Sequence, residues 1–393
     1  LLKKMTIEEK IGQLNQYSGD NAATGPITIN PNKQKEIKEG WIGSMLNVIG
    51  TTYTRQYQEL AMQSRLKIPL LFGQDVIHGY KTTFPIPLAE AASWDLESMQ
   101  LTAKISATEA AASGIHWTFA PMVDIARDPR WGRVMEGAGE DTYLGCKIAT
   151  ARVKGFQGEK LGNIDVVMAC AKHFVAYGAV LAGREYNSVD MSDRMLWETY
   201  LPPFKAALDA GAATFMNSFN DINGIPATGN KYIQRDILKG KWGFKGFVIS
   251  DWGSIGEMET HGYVKDSKDA ARAAITAGSD MDMESNAYRD NLAQLVKEKK
   301  IDIALIDEAV KRILRKKFEL GLFEDPFKFC NPEREKAALN NPEHTRIART
   351  SAARSIVLLK NNPSPSGKDR EGILPISKDT KTIAFIGPMV KLK

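Results

Sequence analysis

Cysteine is scarce in this chain, with only Cys146, Cys170 and Cys330 among 393 residues. The number is odd and no two stand at metal-ligand spacing, so neither a disulfide framework nor a cysteine metal site is implied. Cys170 lies in the apolar run 166–171 and reads as a buried thiol. Histidine is nearly as sparse: His78, His116, His173, His261 and His344 include no close pair, which argues against a metal centre. No Gly-x-Ser-x-Gly elbow occurs, which disfavours a serine hydrolase. No glycine-rich phosphate loop follows a strand-like run, which weakens a nucleotide cofactor, and no cofactor is expected. No apolar run is long enough to cross a bilayer. Blocks of one charge are missing too: Lys and Arg alternate with Asp and Glu for a net charge of +5, so a nucleic-acid partner gains no support. A leader peptide is absent, but residues 1–6 read as the interior of an amphipathic helix, so the N-terminus reads as truncated and the missing leader says nothing of the compartment. Oligomeric state is not readable.

What is present is an ordinary globular balance, 43% hydrophobic and 25% charged. Strand-like runs at Ser44–Val48, Leu70–Phe72, Thr118–Ala120, Val166–Ala171, Ala213–Asn217, Phe247–Ser250 and Asp280–Met283 alternate with amphipathic stretches. The helical candidates are Arg55–Leu66, Leu96–Ala112, Leu196–Ala210 and Lys268–Ala277. This alternation predicts an α/β fold with a parallel sheet. Seven strands are visible where a (β/α)8 barrel needs about eight, so periodicity alone leaves an open doubly wound sheet in play. After residue 323 the composition shifts. Residues 1–323 are expected to form the barrel, 324–345 a linker rich in proline, asparagine and charge, and 346–393 the incomplete start of an α/β sandwich domain. The last segment predicts a helix at Arg346–Ser355 and strands at Ile356–Leu359 and Ile383–Ile386. About fifty residues cannot close a normal core, so most of a second domain is expected to be missing.

In a barrel, residues just past the strands' C-terminal ends converge on one pocket. That gathers Asp75, Arg133, Lys172 with His173, Asn217 or Phe219, Asp251 with Trp252, and Asp282 or Glu284. Carboxylates, cations and an indole around one cavity suit a polyhydroxylated ligand, since charged groups fork bonds to hydroxyl pairs and an indole covers a ring face. Each residue also has a structural reading: Asp251 as a helix cap, Lys172-His173 as a core ion pair, Asp75 as a turn stabiliser, Arg133 as part of an ion-pair loop.

Taken in order, several segments strongly resemble glycoside hydrolase family 3. They are Met5–Leu14, Asp75-Val76-Ile77-His78-Gly79, Asp124–Arg133, Ala171-Lys172-His173-Phe174, Asn220–Ala227 and Trp242–Trp252. The resemblance implies a (β/α) barrel followed by an α/β sandwich, and a retaining exo-acting β-glucosidase acting on terminal β-D-glucosyl residues. It makes Asp251 the nucleophile and places Asp75, Arg133, Lys172 and His173 on the hydroxyls of the first sugar. Glu185 falls where the family has a supporting carboxylate, Trp252 is a ring platform, and Phe219 replaces a tyrosine found in several members. The family's two-domain members take their acid/base glutamate from the second domain. A subgroup uses a histidine in the loop after the Lys-His pair, but residues 174–183 contain none, which weakens a β-N-acetylglucosaminidase reading. Asp75 favours glucose-like over xylose-like sugars, so a β-xylosidase is the weaker alternative within the family. A sugar-binding barrel without turnover is the alternative from another class. The resemblance further implies a periplasmic or secreted location.

Overall fold

The computed structural model describes residues 1–19, 25–26, 30–363 and 372–391. They divide into two units, Leu1–Ser355 and Ile356–Lys393. The first unit contains strands β1 (Asn15–Ser18), β2 (Ser44–Leu46), β3 (Leu71–Gln74), β4 (Trp117–Thr118), β5 (Cys170–Phe174) and β6 (Thr214–Asn217). A short antiparallel pair follows, β7 (Asp221–Ile222) with β8 (Ile225–Pro226), and then β9 (Phe247–Ile249) and β10 (Asp282–Met283). Apart from that short pair and an isolated antiparallel bridge between Gly79 and Thr83, the pairing among the described residues is parallel, in the orders β10-β1-β2-β3-β4 and β5-β6-β9. Parallel bridges continue across both seams, Trp117 to Met168 and Met122 to Lys172 on one side and Ile249 to Met281 on the other.

The parallel strands are buried along their whole length, which is why β9 reads as the unbroken apolar run Phe247-Val248-Ile249. The strand that periodicity misses is β1. Its four residues Asn15-Gln16-Tyr17-Ser18 are all buried yet mostly polar, so there is no apolar run to see. Side-chain bonds compensate the burial: Gln16 Nε2 donates to Ser44 Oγ at 2.7 Å and Tyr17 donates to Asn286 Oδ1 at 2.6 Å. One predicted strand is displaced. Residues 166–169 lie outside β5, which runs from Cys170 to Phe174 and holds Lys172-His173 within it rather than past its end. The bonds explain the shift, because Cys170 and Lys172 donate their backbone N–H to Ala120 and Pro121.

The helix predicted at 96–112 is found there, with Asp95 accepting the N–H of Ser98 at 3.0 Å. The one expected at 55–66 instead spans Thr51–Ala61. Its N-terminus is satisfied from far away in sequence, since Glu335 accepts the Thr51 N–H at 3.1 Å and its hydroxyl at 2.5 Å. Within 196–210, a π-helical turn over Leu196–Tyr200 precedes an α-helix over Pro202–Asp209.

The first compact unit continues past residue 323 to Ser355. The supposed linker carries a helix at Pro332–Leu339, and another covers Pro342–Arg354. The proline and asparagine that suggested coil are helix starts: Asn331 and Asn341 cap, and Pro332 and Pro342 occupy the first turn. These helices are anchored by His344 Nδ1 to Glu109 Oε1 at 2.8 Å, Arg354 to Asp95 at 2.8 Å, and the Glu335 bonds. In the second unit, the expected strands 356–359 and 383–386 carry no strand pairing and are exposed, Leu359 at 92% and Ile386 at 91%. A strand without a partner edge and a covered face has nothing to hold it. Residues 364–371 and 392–393 of that predicted domain lie outside the described residues.

A buried ion pair fixes the strand that leads to Asp251. Lys239 Nζ bonds Asp280 Oδ1 at 2.7 Å, and the other oxygen of Asp280 accepts the Val248 N–H of β9 at 2.8 Å. Replacing Lys239 by methionine leaves that carboxylate buried without its cation. The expected cost is ~3–5 kcal/mol, read as a lower urea midpoint at unchanged slope.

Candidate active site

A cavity of about 430 Å³ opens where several strands end. Asp75 reaches it past β3, Lys172 from β5, Asp251 and Trp252 past β9, and Arg133 and Glu136 from the long segment between β4 and β5. Gly25 also borders it, with φ +68° and a position where any Cβ would sit 2.8 Å from the Trp252 ring, so the close approach requires glycine.

The charges form linked sets. Lys172 Nζ bonds Asp75 Oδ1 at 2.8 Å. Burial works most strongly against the Lys172 charge, but Asp75, with Glu136 and Asp251, together hold the ammonium above its usual range. Arg133 forks onto Glu136 at 2.7 and 3.0 Å, and burial of Glu136 is overcome by that contact, which keeps its carboxyl low. The same Nη2 that meets Glu136 Oε2 also donates to His173 Nε2 at 2.9 Å. The opposite ring nitrogen of His173 donates to Asp124 Oδ2 at 2.8 Å, and its backbone N–H reaches the same oxygen at 2.9 Å. Burial, then Arg133 and Lys172, drive the imidazole well below its ordinary pKa, so His173 is neutral and fixed in one tautomer.

Asp251 is the focus of this network. Its Oδ1 accepts the Trp252 N–H at 2.7 Å. Its Oδ2 lies 3.6 Å from His173 Nε2 and has no hydrogen-bond partner. Burial pushes the carboxyl up to about 6, and Arg133 and Lys172 restrain the rise, so it is mainly ionised at neutral pH. A buried carboxylate with one oxygen fixed and the other bare is equipped to attack an electrophilic carbon.

Of the residues singled out in the sequence, Asp75, Arg133, Lys172, Asp251 and Trp252 border the cavity together. His173 and Glu185 stand behind Arg133. Glu185 accepts the Trp131 indole N–H at 2.5 Å and the Tyr177 hydroxyl, and lies 3.7 Å from Arg133 Nη1. Phe219 does not border the cavity; its ring packs 4.5 Å from that of Tyr186, which does. The other strand-end candidates are occupied in the fold. Asn217 donates to Ser279, Asp282 accepts from Ser285 and Tyr288, and Glu284 accepts the Ser18 N–H. Sequence reasoning overlooked Asp124, Glu136, Tyr186 and Glu257. Glu136 had a signal, because an acid three residues after Arg133 can fold back onto it. Glu257, six residues past Asp251, had none.

Residues 6–316 match the family described as "Glycosyl hydrolase family 3 N terminal domain". The chain belongs to glycoside hydrolase family 3. It is 44% identical to the periplasmic β-glucosidase of Salmonella typhimurium, over 99% of this chain and 50% of that protein. A β-xylosidase of Formosa agariphila is 34% identical over 84% of this chain and 47% of its own length. Among solved structures, the β-glucosidase of Listeria innocua in complex with isofagomine superposes with a TM-score of 0.87 at 43% identity, covering 92% of this chain and 51% of that one. A variant of the Listeria enzyme was solved with laminaribiose and superposes with a TM-score of 0.86. This family 3 chain thus spans about half the length of the curated relatives it matches.

Proposed function

We propose that this chain is the sugar-binding, nucleophile-bearing part of a retaining exo-β-glucosidase. In this reading the eight parallel strands, joined across both seams by the bridges described above, form a closed (β/α)8 barrel whose C-terminal mouth is the cavity. The observation that carries the reading is the bare Oδ2 of Asp251, held between a backbone N–H on its sister oxygen and two cations that favour its ionised form.

Asp75, Lys172 and Arg133 bind the hydroxyls of the first sugar, Trp252 covers a ring face, and Asp251 attacks the anomeric carbon to give a covalent glycosyl-enzyme. His173, Glu185 and Asp124 position Arg133. The proton for the leaving oxygen comes from a second carboxylic acid, which in a retaining glycosidase stands roughly 5–5.5 Å from the nucleophile and which the family resemblance assigns to a second domain. The similarity to a periplasmic β-glucosidase supports export. A β-xylosidase is the second reading, favoured by the Formosa relative. Asp75, bound to Lys172 at the sugar's side of the cavity, supports a hydroxymethyl-bearing sugar instead, so glucosides are expected to exceed xylosides in kcat/KM by about tenfold or more.

The pH profile tests the reading. Because the nucleophile must be ionised and its carboxyl sits at about 6, kcat/KM for 2,4-dinitrophenyl β-glucoside is expected to fall about tenfold per pH unit below that point. That leaving group departs without a proton, so the limb reports Asp251 alone. A profile flat down to pH 4 contradicts the assignment.

A further inference from the structure

The loop that carries Asp75 into the cavity is gripped from behind by side chains that take no part in the chemistry described so far. Asp75 and Ile77 both border the cavity, and the chain then turns back on itself, with the Phe84 N–H donating to the His78 carbonyl at 2.8 Å. Among the described residues, no strand of the sheet pairs with residues 76–84. Their hold is Glu109, fully buried on the helix Leu96–Ala112. Its Oε2 accepts the Lys81 and Thr82 N–H groups at 2.9 and 2.8 Å. Its Oε1 accepts the Thr82 hydroxyl at 2.6 Å and His344 Nδ1–H at 2.8 Å. Among the described residues no lysine or arginine pairs with Glu109, so this buried carboxylate depends on those four donors.

His344 stands 235 residues further along the chain, on the helix Pro342–Arg354. The cap of that helix sets the direction of the bond. Asn341 Oδ1 accepts the Glu343 N–H at 3.0 Å, which turns its amide nitrogen to His344 Nε2 at 3.2 Å and leaves Nδ1–H for Glu109. A second route starts one face-repeat later. Ser351 Oγ donates to Glu90 Oε1 at 3.3 Å, Arg152 Nη2 meets the other oxygen of Glu90 at 2.5 Å, and Arg152 Nη1 donates to the Ile77 carbonyl at 3.4 Å. Glu90, Arg152 and Ser351 are all buried. His344 and Ser351 are the two buried residues of the helix Pro342–Arg354. Its seat is therefore made by the two side chains that lead to the Asp75 loop, not by a buried apolar stripe.

We propose that the helix Pro342–Arg354 is a latch: through His344 on Glu109 and Ser351 on Glu90 it sets the loop after β3 and so positions Asp75 for the first sugar. The proposal rests on the β-glucosidase reading of the cavity. His344, Glu109, Ser351, Glu90 and Arg152 are positioning residues, and none of them borders the cavity. Asp75 is bonded to Lys172 across the cavity, but that contact fixes only the carboxylate. The backbone behind it is fixed at Ile77 and at residues 81–82, and both points answer to the one helix. A small displacement of a sugar-binding carboxylate is felt directly in affinity, whereas a helix that only packs on the unit would affect stability alone.

The test combines glucose calorimetry with amide hydrogen exchange on the full 393-residue chain. In His344→Leu, which removes the donor to Glu109, the Lys81 and Thr82 amides are expected to exchange about tenfold faster and glucose affinity to fall about tenfold. His344→Asn places an amide nitrogen where Nδ1 stood and is expected to restore both. In an Asp75→Ala background, His344→Leu is expected to change glucose affinity less than about twofold, because its effect passes through Asp75. Should His344→Leu fail to fold, Thr82→Val, isosteric and half-buried, decides with an affinity loss of about threefold. Exchange at residues 76–84 that is the same in His344→Leu overturns the latch. Faster exchange with glucose affinity unchanged overturns the positioning role, and either result leaves the β-glucosidase reading standing. An equal affinity loss with and without Asp75 overturns it as well, since the helix then acts on the cavity by another way. If the unaltered chain binds no glucose, the reading itself fails and the proposal with it.

Discussion

Asparagine in place of Asp251 is expected to lower kcat/KM for aryl β-glucosides by about 10⁴-fold or more. The amide can still accept the Trp252 N–H, so the loop after β9 keeps its shape. What disappears is the nucleophilic lone pair of Oδ2 and the charge that Arg133 and Lys172 are arranged to meet. Because a buried carboxylate is removed, stability is expected to hold or rise slightly, and glucose affinity to change far less than turnover. That division separates a chemical role from a structural one. A helix-cap carboxylate, the plain structural reading of this residue, would show the reverse: a lower melting temperature with most of the turnover retained. Steady-state kinetics and thermal melting on the same preparation decide between them.

The second large effect is expected at Arg133. Methionine there removes the fork onto Glu136, the donor to His173 Nε2 and the cation that most restrains the rise of the Asp251 carboxyl. Turnover is expected to fall about 10²–10³-fold, in line with loss of a charged contact and leaving Glu136 buried without its partner. The sign of the pH effect is fixed. Burial already raises the carboxyl of Asp251, and without Arg133 it rises further, so the acid limb of kcat/KM moves to higher pH and part of the loss is recovered there. Lysine at the same position returns the charge but not the fork. It is expected to restore the limb while recovering little of the rate, a split that a single pH–rate series reveals.

How much of this was legible in the sequence depended on what each residue does. Asp251, Asp75 and Trp252 were legible because they follow apolar strands directly, and the strand's end fixes where they point. Lys172 and His173 were found for a less accurate reason, since they lie inside β5 and only the local backbone pairing turns them to use. β1 was invisible because its burial is balanced by hydrogen bonds instead of apolar side chains, a pattern that periodicity does not register. The helices after residue 323 read as coil because Asn-Pro marks both coil and helix starts, and only the anchoring of His344 on Glu109 and of Glu335 on Thr51 tells the two apart.

The most direct test of the central claim is covalent trapping on the full chain with 2,4-dinitrophenyl 2-deoxy-2-fluoro-β-glucoside. The fluorine slows the second step, and the leaving group needs no proton, so attack proceeds without a second domain's acid. The account predicts one fluoroglucosyl group per chain, carried on the peptide containing Asp251 and absent from Asp251→Asn. A label on any other residue, or none after prolonged incubation with a chain that still binds glucose, contradicts it.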